Sequence, residues 1–505
     1  MSCSSVTFVL IVVIFTIFMF LTLETNTVTA EDEQNEYFSQ CFGDLGCLNT
    51  DSTWYNSSVR PINLKALDRN IIKTEFLFIT KSHANDSSQL LFRTMTDPDT
   101  TNCNDIDLGK EDVLMILVHD FTSNGYTGWI KNLALQLLIK SKNRKILSVD
   151  WQKGAEPPFD QAAANARVVA LEIKYFVKKL EEKTCKRAKL HIVGHGMGAH
   201  IAGYVGATCD VGVDKITALD PTGLKFAGMP DAVRLNPNNA IFVEVLHTDA
   251  SDSLSQGTKF QFGHVDYYLN EAKTQPGCIE ERTYNELDEV TFEDLDESRI
   301  LPGCSHKRSF KYFIEAVKEE KCRFLGILND NKTNLRVDTM PSCKKVVSNY
   351  FSEKLEKGQP GSFNLFTDDH PPFCLYPYVI GVTLNEGISY YGAFDFILID
   401  ENDDASNVTF LGSKYEYRYF IATSDNGYLY YGKSPKLGRI KEAKVRWTAP
   451  KSFCVINCEQ YVSVRFIDVC LLDPDGSNIT SRLCPKTGEH RIENGEFTTF
   501  VQCCI

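Results

Sequence analysis

The chain has 505 residues, of which 43% are hydrophobic and 24% charged, and its net charge is −13. This length predicts two or three domains, and the apolar fraction argues against long disorder. The acidic balance leaves no surplus of cations to neutralise phosphates, which argues against nucleic acid as a partner and against electrostatic docking on anionic membranes. Seventeen cysteines without paired CxxC motifs favour an oxidising compartment.

The N-terminus predicts export. Residues 6–23 are almost wholly apolar, and Val28 and Ala30 suit the small-residue positions of a signal-peptidase site. We therefore expect residues 1–30 to be a cleaved signal peptide and the protein to be secreted and extracellular. No Lys or Arg precedes the run, whose length also fits a short membrane anchor. Cleavage would remove Cys3 and leave an even number of cysteines, which suits full disulfide pairing.

Five Asn-x-Ser/Thr sequons become candidate glycan sites on surface loops if the chain is exported. They are Asn56, Asn85, Asn331, Asn407 and Asn478.

Apolar strand-like runs alternate with helical patterns over the first part of the chain, which predicts a mostly parallel α/β sheet. The predicted buried strands are 77–80, 113–119, 145–151 and 190–193, with an amphipathic helix at 162–180 and another that opens at 198–204.

Beyond about Pro371 the apolar runs are short, often alternate, and are separated by turn residues, which predicts an antiparallel β-sandwich. The boundary is expected within 370–374. The predicted strands are 379–384, 394–399, 417–422, 428–432, 444–448 and 461–472.

The run at 190–193 leads into Gly194-His195-Gly196-Met197-Gly198 and then into a helix. Strand, glycine-bounded turn and helix are the layout of the nucleophile elbow GxSxG, although such a turn alone also fits a plain tight turn. Downstream, Asp220 follows the next strand and His306 lies farther along the chain. Nucleophile, acid and histidine in this order are typical of α/β-hydrolases, in which the acid holds the imidazole that takes the proton of the nucleophile.

These motifs occur in the order found in the pancreatic-type lipase family, which the chain resembles over nearly the whole hydrolase region. The matching stretches are 41–47, 149–151, 194–203, 219–221, 233–237, 247–250, 263–268 and 304–312. The resemblance implies an α/β-hydrolase domain with a central, mostly parallel sheet at 31–374. An all-β sandwich of the PLAT or C2-like type would follow at 375–505. The segment 278–304 occupies the place of the family's disulfide-bounded lid.

The chain departs from the family at the nucleophile. The family motif GHSLGAH has serine at its centre, where this chain has Gly196. Glycine cannot form an acyl-enzyme, so Asp220 and His306 remain as parts of a triad with no nucleophile to activate. Losing the serine also removes the strain that the elbow imposes on a non-glycine residue.

A second departure concerns the oxyanion hole, which the resemblance assigns to the backbone N–H groups of Phe121 and Met197. The family has HGF where this chain reads His119-Asp120-Phe121. Asp120 would bring negative charge to a site that stabilises an oxyanion. In the alternative reading its side chain points to solvent and has no effect.

A third departure concerns calcium. Many members bind a structural calcium ion after the triad acid, at positions that correspond to Asp231, Arg234, Asn236 and Asn239. Asn236 and Asn239 replace aspartates of the family, so the resemblance implies at most a weak calcium site. An ordinary Asn-rich loop is the alternative, and no other cofactor is expected.

The lid segment carries nine acidic residues against two arginines, unlike a lid that opens onto a lipid surface. It fits a solvated acidic segment or a docking site for a basic protein partner. The resemblance also implies disulfides at Cys41–Cys47, Cys278–Cys304 and Cys322–Cys343. His195, His247 and His264 match structural positions of the family.

We therefore interpret the chain as a secreted lipase-like protein without catalytic activity. It would bind a lipid or another hydrophobic ligand in the old cleft, or dock on a protein partner through its sandwich. One alternative is an active carboxylic ester hydrolase, of the triacylglycerol lipase or phospholipase A1 type, that uses another nucleophile or a water activated by His306. Another is a storage or yolk protein, a role of other serine-less members of the lipase superfamily.

Overall fold

A computed structural model describes sixteen stretches of the chain. They are 38–81, 89–95, 108–109, 112–184, 187–208, 212–251, 255–278, 303–318, 323–328, 348–385, 388–408, 418–420, 426–432, 436–449, 460–473 and 478–503. The predicted signal peptide, the lid interior at 279–302, the Cys322–Cys343 pair and the sequons Asn85 and Asn331 lie outside the described residues. Within the described part, no helix has the length and apolar character needed to span a membrane.

The chain divides into two compact units. The first comprises residues up to Lys131, Asn143–Ile216 and Pro221–Ile241, and the second Asn132–Lys142, Thr217–Asp220 and Phe242 onwards.

Among the described residues, seven strands, three whole helices and the beginning of a fourth belong to the first unit. The strands are β1 (Ser39–Cys41), β2 (Cys47–Asn49), β3 (Glu75–Lys81), β4 (Leu90–Met95), β5 (Val113–Val118), β6 (Arg144–Asp150) and β7 (Lys189–His195). The helices are α1 (Arg69–Ile72), α2 (Gly128–Lys140), α3 (Phe159–Thr184) and α4 (Met197–Thr208), and α2 ends in the second unit. Short 3₁₀ turns lie at Gly43–Leu45, Ser52–Trp54, Asp231–Val233 and Pro237–Asn239.

The sheet of the first unit has the strand order β7-β5-β6-β3-β4. β5 pairs in parallel with β6 and β7, whereas β3 pairs antiparallel with β6 and β4. Strand β5 is an unbroken apolar run because both its faces are covered, and only Val113 is part-exposed. Helix α3 packs on this sheet through Phe176, whose ring stacks on Phe76 at 4.2 Å.

The strands of the second unit begin with β8 (Lys215–Leu219), which ends in that unit. It continues with β9 (Phe242–His247), β10 (Val265–Leu269), β11 (Leu325–Leu328), β12 (Ser348–Tyr350) and β13 (Gly361–Leu365), in the order β12-β11-β13-β10-β9-β8. β10 pairs in parallel with β9 and β13, and β11 pairs antiparallel with β13 and β12. Helix α5 (Cys304–Lys318) and a 3₁₀ turn at Asn270–Ala272 complete this part.

In the C-terminal part, the described residues form ten strands that pair antiparallel with one another. They are β14 (Tyr376–Leu384), β15 (Tyr390–Asp400), β16 (Ala405–Val408), β17 (Arg418–Phe420), β18 (Asn426–Gly432), β19 (Ile440–Thr448), β20 (Tyr461–Leu471), β21 (Ile479–Pro485), β22 (Arg491–Glu493) and β23 (Phe497–Gln502). The strand order is β16-β15-β19-β23-β21-β20-β14-β18, with β17 on β15 and β22 on β20.

A large buried core lies within this C-terminal part. β15 alternates strictly between buried and part-exposed positions, the period that gives a strand one inward face. Its Phe394 meets Phe420 edge to face at 4.8 Å and lies 4.8 Å from Trp447, which is fully buried. The predicted fold, an α/β-hydrolase followed by a β-sandwich, is confirmed. The domain limits at 374 and 375 stay a prediction.

Three disulfides have both partners described: Cys41–Cys47, Cys278–Cys304 and Cys484–Cys503. The first two are pairs that the family resemblance implies. Cys278–Cys304 joins the end of the loop after β10 to the first residue of α5, two positions before His306, and so fixes where that helix begins.

Candidate active site

The turn between β7 and α4 has the backbone of a nucleophile elbow. Gly196 sits at its centre with φ +55°, in the left-handed region that glycine occupies without strain. A Cβ on Gly194 would lie 2.3 Å from the carbonyl oxygen of Gly198, and a Cβ on Gly198 would lie 2.4 Å from that of Val118. The outer glycines are therefore required because strand and helix approach too closely for any side chain.

The carboxylate of Asp120 fills the position that a nucleophile would need. Its Oδ1 accepts a 2.6 Å hydrogen bond from the backbone N–H of Met197. A Cβ built on Gly196 would lie 2.2 Å from both Cγ and Oδ1 of Asp120, well inside van der Waals contact. Its side chain is only 13% exposed. The reading in which Asp120 points to solvent is therefore wrong, because the side chain turns inward and occupies the backbone N–H that the family resemblance assigns to the oxyanion hole.

The loop that carries Asp120 is anchored by His119, which is fully buried. The backbone N–H of Trp151 donates to His119 Nε2 at 3.0 Å, so this nitrogen is unprotonated, and Nδ1–H donates to the carbonyl oxygen of Asp120 at 2.8 Å. The indole Nε1–H of Trp151 donates to the carbonyl oxygen of His119, and the two rings stack at 5.3 Å. This clamp fixes the backbone from which the carboxylate projects.

Two further predicted residues flank Asp120. His195 is buried, with Nδ1 4.0 Å from Asp120 Oδ2 and its ring 6.0 Å from that of Trp129. This position agrees with a packing role rather than a catalytic one. Phe121, the next residue in the chain, is part-exposed and meets Phe159 edge to face at 5.2 Å.

The acid and the histidine of the predicted triad are brought together in the second unit. His306 Nδ1 lies 2.6 Å from Asp220 Oδ2, and both side chains are buried. Asp220 Oδ1 accepts from the backbone N–H groups of Thr248 at 2.7 Å and Asp249 at 3.2 Å. These donors orient the carboxylate, which in turn holds the imidazole with its Nδ1 toward the acid, as in a hydrolase. The acid–base pair is thus intact.

A second acid, Asp249, lies near this pair. Burial and the negative charge of Asp220 raise the pKa of the Asp249 carboxyl, while the backbone N–H of Gln256 donates to Asp249 Oδ2 at 3.1 Å and favours its ionised form.

Gln275 is a positioning residue that sequence reasoning missed. Its Nε2 lies within 2.9 Å of the carbonyl oxygens of Thr248, Leu269 and Lys273, and Tyr312 Oη donates to its Oε1 at 3.1 Å. The network ties the Thr248 loop, which orients Asp220, to helix α5. A lone glutamine carries no pattern in the sequence that would identify it.

Ser305, beside His306 in the chain, and the family-matched residues His247 and His264 have structural partners. Ser305 accepts from the backbone N–H of Gln275 at 3.0 Å. His247 pairs with Asp266 at 2.8 Å, and His264 Nδ1 accepts from the backbone of Val243 at 3.0 Å.

The residues of the predicted calcium site lie together but are bonded to one another. Arg234 Nη2 donates to Asp231 Oδ1 at 2.6 Å. Asn236 Nδ2 donates to the carbonyl oxygens of Asp231 at 3.0 Å and Arg234 at 3.3 Å. Asn239 Oδ1 accepts from the backbone N–H of Asn236 at 2.8 Å. Calcium needs several oxygens that converge on one point, and here a nitrogen lies between the two carbonyls. This arrangement does not fit the ion.

Two sequons can be placed on the surface. Asn56 and Asn478 are exposed, whereas the side chain of Asn407 lies outside the described part although its backbone belongs to β16.

The family model Lipase matches residues 38–373. "Inactive pancreatic lipase-related protein 1" of Homo sapiens is 32% identical over 285 residues, which cover 55% of this chain and 58% of that protein. "Pancreatic triacylglycerol lipase" of Sus scrofa is 29% identical over 68% of this chain and 77% of its own length. "Pancreatic lipase-related protein 2" of Mus musculus is 30% identical over 68% of this chain and 72% of its own length. The chain thus spans little more than half of the human relative.

Proposed function

The chain belongs to the Lipase family, and from this premise we propose that it is a lipase-fold protein that does not hydrolyse esters. The observation that carries the proposal is the carboxylate of Asp120, which accepts from the Met197 N–H above a glycine that replaces the nucleophile. The curated relatives include a protein named inactive as well as proteins named lipases, so membership of the family alone does not decide activity.

Two features of the elbow support inactivity. First, Gly196 offers no oxygen to attack an ester, and losing a triad nucleophile costs roughly a millionfold in serine hydrolases. Second, an oxyanion hole acts by donating hydrogen bonds to developing negative charge. Asp120 already accepts from Met197, and its own negative charge would repel an oxyanion placed there. The Asp220–His306 pair therefore has neither nucleophile nor stabilised transition state to serve.

Ester hydrolysis by the purified full-length protein tests this proposal. Triglyceride, phospholipid and short-chain nitrophenyl esters should be hydrolysed at the background rate, with an active lipase of the family as the positive control. Turnover that survives repurification would contradict it. If a serine-directed phosphonate blocked that turnover, the alternative of an active hydrolase with another nucleophile would be favoured. If only His306→Ala blocked it, a water activated by His306 would be favoured.

We further propose that the protein binds a lipid or another hydrophobic ligand. Phe121, which follows Asp120 in the chain, forms a part-exposed edge-to-face pair with Phe159, and Leu224, four residues after Asp220, is 58% exposed. Apolar side chains left accessible in this way suit a ligand rather than a closed core. Native mass spectrometry with lipid extraction tests this binding: a stoichiometric lipid supports it, and a protein recovered empty and unable to take up lipid contradicts it.

Secretion, and a protein partner that docks on the C-terminal sandwich or on the acidic segment 278–304, complete the proposal. Disulfides support an oxidising compartment. The acidic segment supports a partner of basic charge, since it carries nine acidic residues against two arginines.

A further inference from the structure

The loop at residues 231–239 holds a buried amide where the family holds calcium. Asn236 is 4% exposed, and its Nδ2 lies 3.0 Å from the carbonyl oxygen of Asp231 and 3.3 Å from that of Arg234. An amide NH₂ has two hydrogens, so one nitrogen can donate to both carbonyls. The two oxygens are thereby joined by a single electropositive group, as a cation would join them.

The hydrogen bonds around the amide fix its orientation. Asn236 Oδ1 accepts from the backbone N–H of Asn238 at 3.0 Å, and a carbonyl oxygen is the only end of the amide that can accept. Nδ2 must therefore face the two main-chain carbonyls. A carboxylate at position 236 would instead place an oxygen about 3 Å from both, with no proton between them, unless a cation were present.

The second replaced aspartate is used in the same way. Asn239 Oδ1 accepts from the backbone N–H of Asn236, and Asn236 caps the 3₁₀ turn Pro237–Asn239 in return, so the two amides form a reciprocal capping box. Asn239 is 5% exposed. Both asparagines thus close the loop with neutral hydrogen bonds, without the negative charge that would draw a divalent cation.

The loop supports the elbow helix, so its closure matters to the site. Helix α4 contributes His200, whose Nδ1 accepts from the backbone N–H of Leu235 at 3.2 Å, and Tyr204, whose Oη donates to the carbonyl oxygen of Val233 at 2.5 Å. A Cβ on Gly203 would lie 3.0 Å from Asn239 Oδ1. Loop and helix therefore pack without space to spare.

We propose that Asn236 is an intramolecular substitute for the structural cation. Its side-chain amide bridges the carbonyls of Asp231 and Arg234, and the loop keeps its fold without calcium. The charge-restoring change Asn236→Asp would then make the loop depend on calcium. The substitution affects stability and ion binding, so its test is independent of the tests of inactivity and of lipid binding.

Thermal unfolding with and without calcium tests the substitution. The full-length protein and its variants are melted in excess chelator and in millimolar calcium, and the Tm gain in calcium is compared between Asn236→Asp and Asn238→Asp. Asn238 is exposed on the same turn and donates its backbone N–H to Asn236 Oδ1, a bond that Asn238→Asp keeps while it adds the same charge. We expect the Tm of Asn236→Asp to be higher in calcium than in chelator. After subtraction of any increase shown by Asn238→Asp, the difference should be at least ~3 °C.

The native side chain is tested by Asn236→Leu, which keeps the volume but leaves both carbonyls without the amide. We expect this variant to melt lower than the native protein by the same amount in calcium and in chelator. Equilibrium dialysis with radioactive calcium should show one additional bound ion for the double variant Asn236→Asp with Asn239→Asp.

Two results would overturn the substitution. One is an equal response to calcium of Asn236→Asp and Asn238→Asp. The other is an increase in the Tm of the native protein in calcium that Asn236→Leu does not show, because the native loop would then bind the ion. If Asn236→Asp does not fold in either condition, the comparison of the native protein with Asn236→Leu still decides.

Discussion

Asp120 Oδ1 lies 2.6 Å from the backbone nitrogen of Met197, so a side chain of the protein itself occupies the donor that the family resemblance assigns to the oxyanion hole. An oxyanion hole works because its donors point at the place where charge will develop. Here that place is already taken by a carboxylate whose loop is held by the His119–Trp151 clamp. The departure at Asp120 and the departure at Gly196 are therefore one packed arrangement rather than two separate substitutions.

The contact between Asp120 and the elbow predicts strong coupling in stability. Gly196→Ala introduces a Cβ about 2 Å from the carboxylate, which must move, and forces alanine into a left-handed backbone. We expect a loss of about 2–4 kcal/mol in unfolding free energy, from overpacking and strain together. In an Asp120→Gly background only the strain remains, about 1 kcal/mol.

Denaturant unfolding of the native protein, both single variants and the double variant gives this coupling energy directly. A matched control is Gly228→Ala, because Gly228 also has positive φ but a Cβ there meets nothing within 4 Å. If the cost of Gly196→Ala were the same in both backgrounds, the carboxylate would not occupy the elbow.

His200 should make the protein sensitive to acid. Burial lowers the pKa of His200 to about 3, because the ring is enclosed, stacks on Phe226 at 3.8 Å and uses both nitrogens in the fold. Its Nε2–H donates to the carbonyl oxygen of Thr222 and its Nδ1 accepts from Leu235. In the unfolded chain the imidazole titrates near 6.5. Below that pH the imidazole binds a proton in the unfolded state but not in the folded state. Stability therefore falls as the pH drops from about 6.5 toward 3.

Between pH 7 and pH 4 this single group should remove about 3 kcal/mol of stability. His200→Gln should be less stable at pH 7 and lose less on acidification than the native protein. His370→Gln is the control, since His370 is 58% exposed. Denaturant midpoints across this pH range provide the measurement. Parallel pH profiles for the native protein and His200→Gln would refute a buried neutral imidazole.

Local patterns predict much of the fold because they are fixed by burial. The wholly apolar run in β5 and the helical period of 162–180 reflect faces that are covered in the structure. The sequence patterns did not identify β9 as a strand, although all six of its residues are buried. Strands β21 and β23 of the sandwich were not identified either. A short strand whose apolar and polar residues do not alternate clearly gives no periodic signal in the sequence.

The residues of the candidate site likewise fall into two groups, those that the sequence identifies and those that it does not. The elbow glycines and the Asp220–His306 pair could be identified because chain order and spacing carry them. The inward direction of Asp120 and the amide bridge of Asn236 could not, since both depend on hydrogen bonds between segments that meet only after folding. The residue type at one position specifies which charge is present but not the direction of the side chain.

Export is tested by the N-terminus of the mature protein. Expressed in eukaryotic cells, the chain should appear in the medium beginning at Glu31, as the small residues Val28 and Ala30 indicate. Its mass should fall on glycosidase treatment, and Asn56→Gln should remove part of that change because Asn56 is an exposed sequon. Retention in the membrane fraction with Met1 present would identify residues 6–23 as an anchor instead.

The central claim is that nucleophile and oxyanion hole were lost together, and rebuilding them separately tests it. Gly196→Ser alone restores an oxygen but sets its Cβ against Asp120, so we expect almost no hydrolysis. Adding Asp120→Gly frees the Met197 donor, and one such donor is worth about 10²–10³ in rate.

The decisive measurement is the rate of hydrolysis of a soluble short-chain ester by Gly196→Ser and by Gly196→Ser with Asp120→Gly, which avoids any need for an interface. The double variant should exceed the single one by at least about tenfold, which needs only about 1.4 kcal/mol of extra transition-state stabilisation. Equal and measurable rates for the two variants would contradict the account, because Asp120 would then not block the oxyanion hole.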